Sequence, residues 1–273
     1  MLLFPSALPP SGSSYAPAFT PASLNPTAWW DFSDLSNMFQ DTAGSTPVTA
    51  SGQSIARVND KSGNGFNLLQ GTSGNRPIYT TGSGLSWAAF TGSNSQVLAT
   101  PGNPGIGLKT LGIYVAFGCT SSSNSNNGIV SLGSASGADW NSSDGLVMQI
   151  TGGGQGVEFY GNNHAIVPIY NTSVPNPAVA EATMTNGTVS GSGAGNLIVN
   201  GSSVSSNSGQ SYGFASANGG HVAVGGRVST GPSTYGGYFT GKAFQILVFT
   251  TTLSPSNVSA LRTWLGSKCG LSL

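Results

Sequence analysis

From Trp29 onward the chain alternates short runs of aliphatic, β-branched and aromatic residues with clusters of Gly, Ser and Asn, the punctuation of an all-β domain. The clearest runs are Ser54 to Asn59, Leu111 to Phe117, Leu146 to Ile150, Val157 to Tyr160, Leu197 to Val199, His221 to Val224 and Phe244 to Phe249. LGIYVAFG and FQILVF are apolar on both alternations, which suits central strands covered on two faces. Asn200-Gly201 follows one run directly and tolerates the positive φ of a type I′ hairpin turn. The glycine-rich stretch from Thr185 to Gly195 reads as a long loop.

One helix is predicted, from Pro255 to about Lys268. Ser254 is a good N-cap and Pro255 fits the first helical position, where its missing N–H costs nothing. Val258, Leu261, Trp264 and Leu265 make one apolar stripe, and Gly270 offers a left-handed stop. Many short strands and one closing helix predict a single two-sheet antiparallel jelly-roll sandwich over residues 27–273.

Residues 1–26 differ in kind. Pro5, Pro9 and Pro10 interrupt an apolar start that lacks basic residues, which is not a secretory signal, and no stretch approaches the ~18 apolar residues of a membrane span. The segment reads as an extended, polyproline-like arm on a protein made in the cytoplasm. Leu2, Leu3, Phe4 and Phe19 have little local sequence to bury them, so burial against another subunit is expected.

Composition sharpens this. Charged residues make up 6% of the chain, eight acidic and eight basic, where a soluble domain ordinarily carries about 25%. With so little charge, copies do not repel one another, and a surface of hydroxyls and amides suits packing against subunits or sugars. An assembled homo-oligomer such as a trimer is expected. Eight scattered Lys and Arg make no stripe for phosphates, so nucleic acid is excluded as a partner. Cys119 and Cys269 form neither a metal pair nor a disulfide framework, and His164 and His221 have no partner at ligand spacing. No metal or cofactor is implied. Asp139 to Asp144 alternates oxygen ligands but lacks the central Gly and bidentate Glu of a calcium loop, so a polar turn is expected there.

Catalytic signals are weak. Gly209 to Gly213 matches G-x-S-x-G by chance composition, and Gly236 to Ala243 lacks both the final Ser/Thr and the following helix of a P-loop. Glu158 and Glu181 are the only glutamates; both fall in strand-like runs from which they could project on one sheet face. Asp60 to Gly65 reads as a structural turn. Asp31 and Asp34 are expected to cap a turn or pair with Arg57 or Arg76. Trp140, Tyr160, Tyr170, Tyr235 and Tyr238 lie in or beside loops and are the candidates for stacking on sugar rings.

NPTAWWDFSD, then IARVNDKSGNGFNLLQ, RPIY and WAAF, resemble the start of concanavalin A-like, laminin-G-type jelly rolls in tailed-phage virion proteins. HVAVGGR, GKAFQILVF and TTLSPSNVSALRTWLGSKCG agree at the other end. The resemblance implies a non-enzymatic virion subunit: a capsid decoration or head fibre docked on other virion proteins through its arm. A tail-fibre or baseplate adhesin for a host glycan is the alternative. A secreted carbohydrate-binding module is a further one.

Overall fold

A computed structural model of the chain describes residues 19–102, 105–106, 110–121, 126–134, 139, 145–151, 156–161, 169–170, 174–185, 192–211, 219–229 and 234–273. The strands are β1 (Ala28–Asp31), β2 (Met38–Phe39), β3 (Arg57–Val58), β4 (Leu68–Leu69), β5 (Ile78–Gly82), β6 (Leu85–Phe90), β7 (Leu98–Ala99), β8 (Thr110–Cys119), β9 (Asn127–Ser134), β10 (Leu146–Thr151), β11 (Gly156–Gly161), β12 (Ile169–Tyr170), β13 (Ala178–Thr185), β14 (Ser192–Val199), β15 (Ser202–Ser211), β16 (Gly219–Val224), β17 (Arg227–Val228), β18 (Tyr235–Gly236) and β19 (Gly241–Phe249). The helix α1 (Pro255–Cys269) follows.

These strands make two sheets. The first runs β15-β14-β13-β8-β19-β6-β5, with β1 also paired to β19. The second runs β12-β11-β10-β9-β16-β7-β4-β3-β2, and β17 and β18 form a separate hairpin. Pairing within both sheets is antiparallel, as in β8 against β13 and β9 against β10.

The two doubly apolar runs, β8 and β19, lie side by side in the middle of the first sheet. One alternation turns Ile113, Val115, Phe117, Ile246 and Val248 inward against Val130, Met148, Phe159, Val222 and Val224 of the second sheet. The other packs Tyr114, Ala116, Leu247 and Phe249 under Leu261, Leu265 and Cys269 of α1. Covering both faces explains why neither strand carries a polar alternation.

The helix starts and stops where the sequence places it. Ser254 Oγ accepts a hydrogen bond from the Asn257 amide at 3.3 Å, and Gly270 takes a left-handed φ of 83°. Leu261 and Leu265 are fully buried. Among the described residues no helix is long and apolar enough to cross a membrane.

Asn200 and Gly201 adopt φ of 48° and 78° and join β14 to β15 as expected. The glycine-rich segment departs from expectation at its C-terminal end, while residues 186–191 lie outside the described residues. Ser192 to Gly195 belong to β14, paired to β13 and β15, because flanking strands on both sides satisfy the backbone whatever its side chains. Ser54 to Asn59 also yields less strand than expected, only Arg57–Val58, with Ser54 in an isolated bridge to Ile78.

Residues 1–18, and with them Leu2, Leu3 and Phe4, lie outside the described residues. The base of the arm is not extended: Pro21–Leu24 forms a 3-10 turn. Phe19 and Leu24 pack against the cluster under α1, so Phe19 finds apolar contact within its own chain. Cys119 and Cys269 are not joined in a disulfide, and burial pushes the Cys269 thiol up to about 11.

Candidate functional site

The carboxylates are where chemistry would be sought first, and the structure spends them on architecture. Asp60 accepts hydrogen bonds from the amides of Trp29, Ser62 and Phe66 and from the Ser62 hydroxyl, which pins the turn to β1. Gly63 and Gly65 in that turn take φ of 86° and 84°. Asp34 caps a 3-10 turn at Ser36, as expected for a turn cap. The ion pairs differ from expectation. Lys61 Nζ reaches Asp34 at 2.6 Å and Asp31 at 3.2 Å, whereas Arg57 and Arg76 bond backbone carbonyls and, for Arg57, Asn59. The Asp60 turn brings Lys61 across to β1, a closeness that sequence spacing does not carry.

Asp31 is buried and also accepts from the Gln245 amide, whose oxygen in turn accepts from the Trp29 indole at 3.0 Å. Asp41 is held by the amides of Ser45 and Thr46. Asp139 is fully buried, accepting from the Ser131 hydroxyl at 2.6 Å and paired with Arg227 at 2.8 Å. Burial raises its carboxyl above the ordinary value despite Arg227 and Ser131. Both oxygens are thus engaged by protein groups, and among the described residues no cluster of three His, Cys, Asp or Glu stands ready for a metal. Asp144 and Trp140 lie outside the described residues.

The two glutamates do not share a face. Glu158 sits on β11 in the second sheet and accepts from Gln149 at 2.9 Å; Glu181 sits on β13 in the first and is gripped by Arg262 of α1. Each points away from the interior of the sandwich, so the two carboxylates face opposite sides of the molecule. Strand-like runs alone do not reveal which sheet a strand joins.

The aromatic candidates give a more coherent place. Tyr160 and Tyr170 lie on β11 and β12, with side chains outside the described set. Tyr235 and Tyr238 come together at the β17–β18 hairpin, where the Tyr238 hydroxyl donates to the Tyr235 carbonyl at 3.0 Å. Tyr235 sets its ring edge-on to His221, centroids 5.9 Å apart. His221 is fully buried, neither ring nitrogen has a hydrogen-bond partner, and burial lowers its pKa.

Tyr238 is anchored through its backbone. It bridges Gly128, and its carbonyl accepts from the Asn127 amide at 2.6 Å. Two glycines permit this approach: a Cβ on Gly237 would stand 2.7 Å from the Asn126 carbonyl oxygen, and one on Gly92 would stand 2.6 Å from the Tyr238 carbonyl oxygen. Beside Tyr238 opens a depression of about 520 Å³ lined by Thr91, Gly92, Ser93, Ser121, Asn127 and Thr240. Thr240 Oγ1 accepts from the Gly92 amide at 2.9 Å and ties its two walls together. The lining holds hydroxyls, one amide and one aromatic ring, with no formal charge. Only Tyr238 of this set is evident from sequence. The others come from four separate segments with no local pattern to mark them.

No protein-family model matches the chain, and no curated protein is similar to it in sequence. Solved structures are similar in fold. An arabinofuranosidase complexed with arabinofuranosyl-α-1,2-xylobiose superposes with a TM-score of 0.57 at 13% identity, over 89% of this chain and 62% of that one. A GH54 α-L-arabinofuranosidase soaked with 4-nitrophenyl α-L-arabinofuranoside gives 0.55 at 12% identity, over the same shares. The CBM40 of Ruminococcus gnavus IT-sialidase, bound to α2,3-sialyllactose, gives 0.44 at 18% identity over 57% of this chain and 83% of that one. The fold is a concanavalin A-like β-sandwich.

Proposed function

We propose that this chain is a non-catalytic carbohydrate-binding sandwich, carried on a tailed-phage particle as an adhesin that contacts host glycan through the depression beside Tyr238. One observation carries the reading. Of the eight acidic residues all but Asp144 are described, and each of those seven is bonded to a structural partner, while an uncharged depression of hydroxyls, an amide and a tyrosine stays open. Glycoside hydrolysis needs two carboxylates converging on one bond, about 5 to 9 Å apart. Recognition needs only oriented hydrogen-bonding groups and an apolar ring face. The solved structures of like fold include arabinofuranosidases complexed or soaked with arabinofuranosides, which supports the ligand class. The motifs at the two ends of the chain support the phage setting.

Binding of the purified protein to a panel of bacterial surface oligosaccharides is the test. Tyr238→Ala is expected to weaken the best ligand about tenfold without changing the melting temperature by more than a few degrees. Absence of binding to any oligosaccharide, or equal binding by the variant, overturns the reading. So does cleavage of the ligand by the wild type.

A second reading, a capsid decoration or head-fibre subunit, has one observation in its favour. Phe19, the first described residue, borders an apolar groove with Ala260 and Trp264 of α1, surface suited to a neighbouring subunit. Immunogold labelling of intact particles separates the two: label on the head supports decoration, label on the tail supports the adhesin.

A further inference from the structure

The outer face of the first sheet carries a second recess, unrelated to the depression beside Tyr238. It lies between α1 and strands β8, β13 and β14 and encloses about 430 Å³. Two cross-strand rows form its floor: Tyr114 opposite Glu181 opposite Ile198, and Gly112 opposite Thr183 opposite Asn196. Gly112 shapes it. A Cβ there would stand 2.8 Å from Tyr114 Cε2, so the missing side chain lets the tyrosine ring lean along the sheet, edge-on to Phe249 at 5.5 Å. Leu253 and Val258 close the opposite wall with an apolar strip.

The polar groups here are unusual in being unspent. Arg262 uses Nε and Nη2 on Glu181, which leaves Nη1 free of protein hydrogen bonds and makes the pair neutral. Among the described residues no hydrogen bond reaches the Tyr114 hydroxyl, Thr183 Oγ1 or the Asn196 side-chain amide, and all three residues line the recess. Hydrogen-bonding groups that line a recess without protein partners are matched there by water or a ligand.

We propose that this cleft binds one neutral sugar ring, a hexose or pentose, with its C–H face on Val258 and Leu253 and its hydroxyls on Tyr114, Thr183, Asn196 and Arg262 Nη1. The cancelled charge of Glu181 and Arg262 disfavours anions and cations alike, and the volume admits one ring with a few waters. The inference rests on the carbohydrate-binding reading for the class of ligand, and places that ligand at a separate site.

Protein-observed NMR with free D-glucose, D-galactose, D-mannose and L-arabinose tests it. At least one sugar is expected to shift the amides of Gly112 to Tyr114 and Glu181 to Thr183. Tyr114→Phe, which removes only the hydroxyl, is expected to weaken that sugar about fivefold to tenfold. Val258→Trp, which fills the cleft, is expected to abolish binding, with thermal melts confirming that both variants fold. Wild-type affinity in Tyr114→Phe, or shifts confined to Tyr238 and Asn127, sinks the cleft while leaving the adhesin reading intact. Shifts at Gly112 to Tyr114 with no oligosaccharide held at Tyr238 sink that reading and leave the cleft. Absence of any sugar-induced shift overturns both.

Discussion

Arg262 and Glu181, 81 residues apart in the chain, meet through both carboxylate oxygens and tie the helix to the sheet beneath it. Glu181 is 1% exposed while the arginine side chain keeps 21%, so the pair is buried on the carboxylate side. Hydrogen bonding to Glu181 also raises the pKa of Arg262, against the pull of burial. Removing one partner strands the other. Arg262→Ala is expected to cost about 3 kcal/mol, and the joint change Glu181→Met with Arg262→Leu to restore most of it. Urea unfolding of the two single variants and the double variant measures this, and an additive double variant refutes the coupling.

Stability is expected to fall in two separate windows as pH drops. His221 has a folded-state pKa lowered by burial from its ordinary 6.5. The unfolded chain therefore takes up a proton that the folded chain refuses, and stability declines as pH falls through that value. For Asp34, burial acts to raise the carboxyl, but the Lys61 ammonium and the Ser36 hydroxyl and amide outweigh it and hold the group at about 2, against an ordinary 3.8. Its contribution is full above 3.8 and is lost toward 2. Denaturant midpoints measured from pH 8 to 2 check both. His221→Leu should flatten only the upper window, and Lys61→Met should shrink only the lower.

Gly225 and Phe90 cannot both be kept if the glycine gains a side chain. A Cβ at Gly225 would stand 2.2 Å from Phe90 Cδ1, at a φ of 83° that other residues resist. Gly225→Ala is expected to cost about 3 kcal/mol or more. Phe90→Leu added to it should recover part of that loss, and a melting temperature for Gly225→Ala equal to wild type would contradict the geometry.

Deleting residues 1–18 should leave thermal stability unchanged, whereas deleting 1–26 should cost about 3 kcal/mol. The longer cut removes buried Pro21 together with Phe19 and Leu24, which cover the cluster under α1. Matched melts of the two truncations settle where the body of the domain begins.

How far the sequence anticipates this fold depends on the range of the interaction. The central strands β8 and β19 are legible because two-sided burial leaves an unbroken apolar run, and α1 because Ser254, Pro255 and Gly270 act within a few residues of themselves. Much of the second sheet is not legible. β2, β3, β4 and β7 are two residues each, too short for any period, and exist because neighbours supply the hydrogen bonds. The candidate sites are legible only in part for the same reason. Tyr238 attracts notice as an aromatic, but Thr91, Asn127 and Thr240 gain meaning only when three strands converge. Tyr114 looks like one more core residue until Gly112, two positions away, leaves it room to tilt.

β19 hydrogen-bonds to β1, β6 and β8, and it is made after every other strand of the domain. Until it emerges, the first sheet exists as three pieces with no bond between them: β1 alone, the β5–β6 hairpin, and the β8–β13–β14–β15 block. The edge of β8 that β19 will occupy therefore stays unpaired from the completion of Cys119 until Gly241–Phe249 is made, and closure comes as one late, long-range event. Chains halted before Gly241 are expected to keep the first sheet in these three pieces, with the β6 and β8 edges that face β19 open to pairing with other chains.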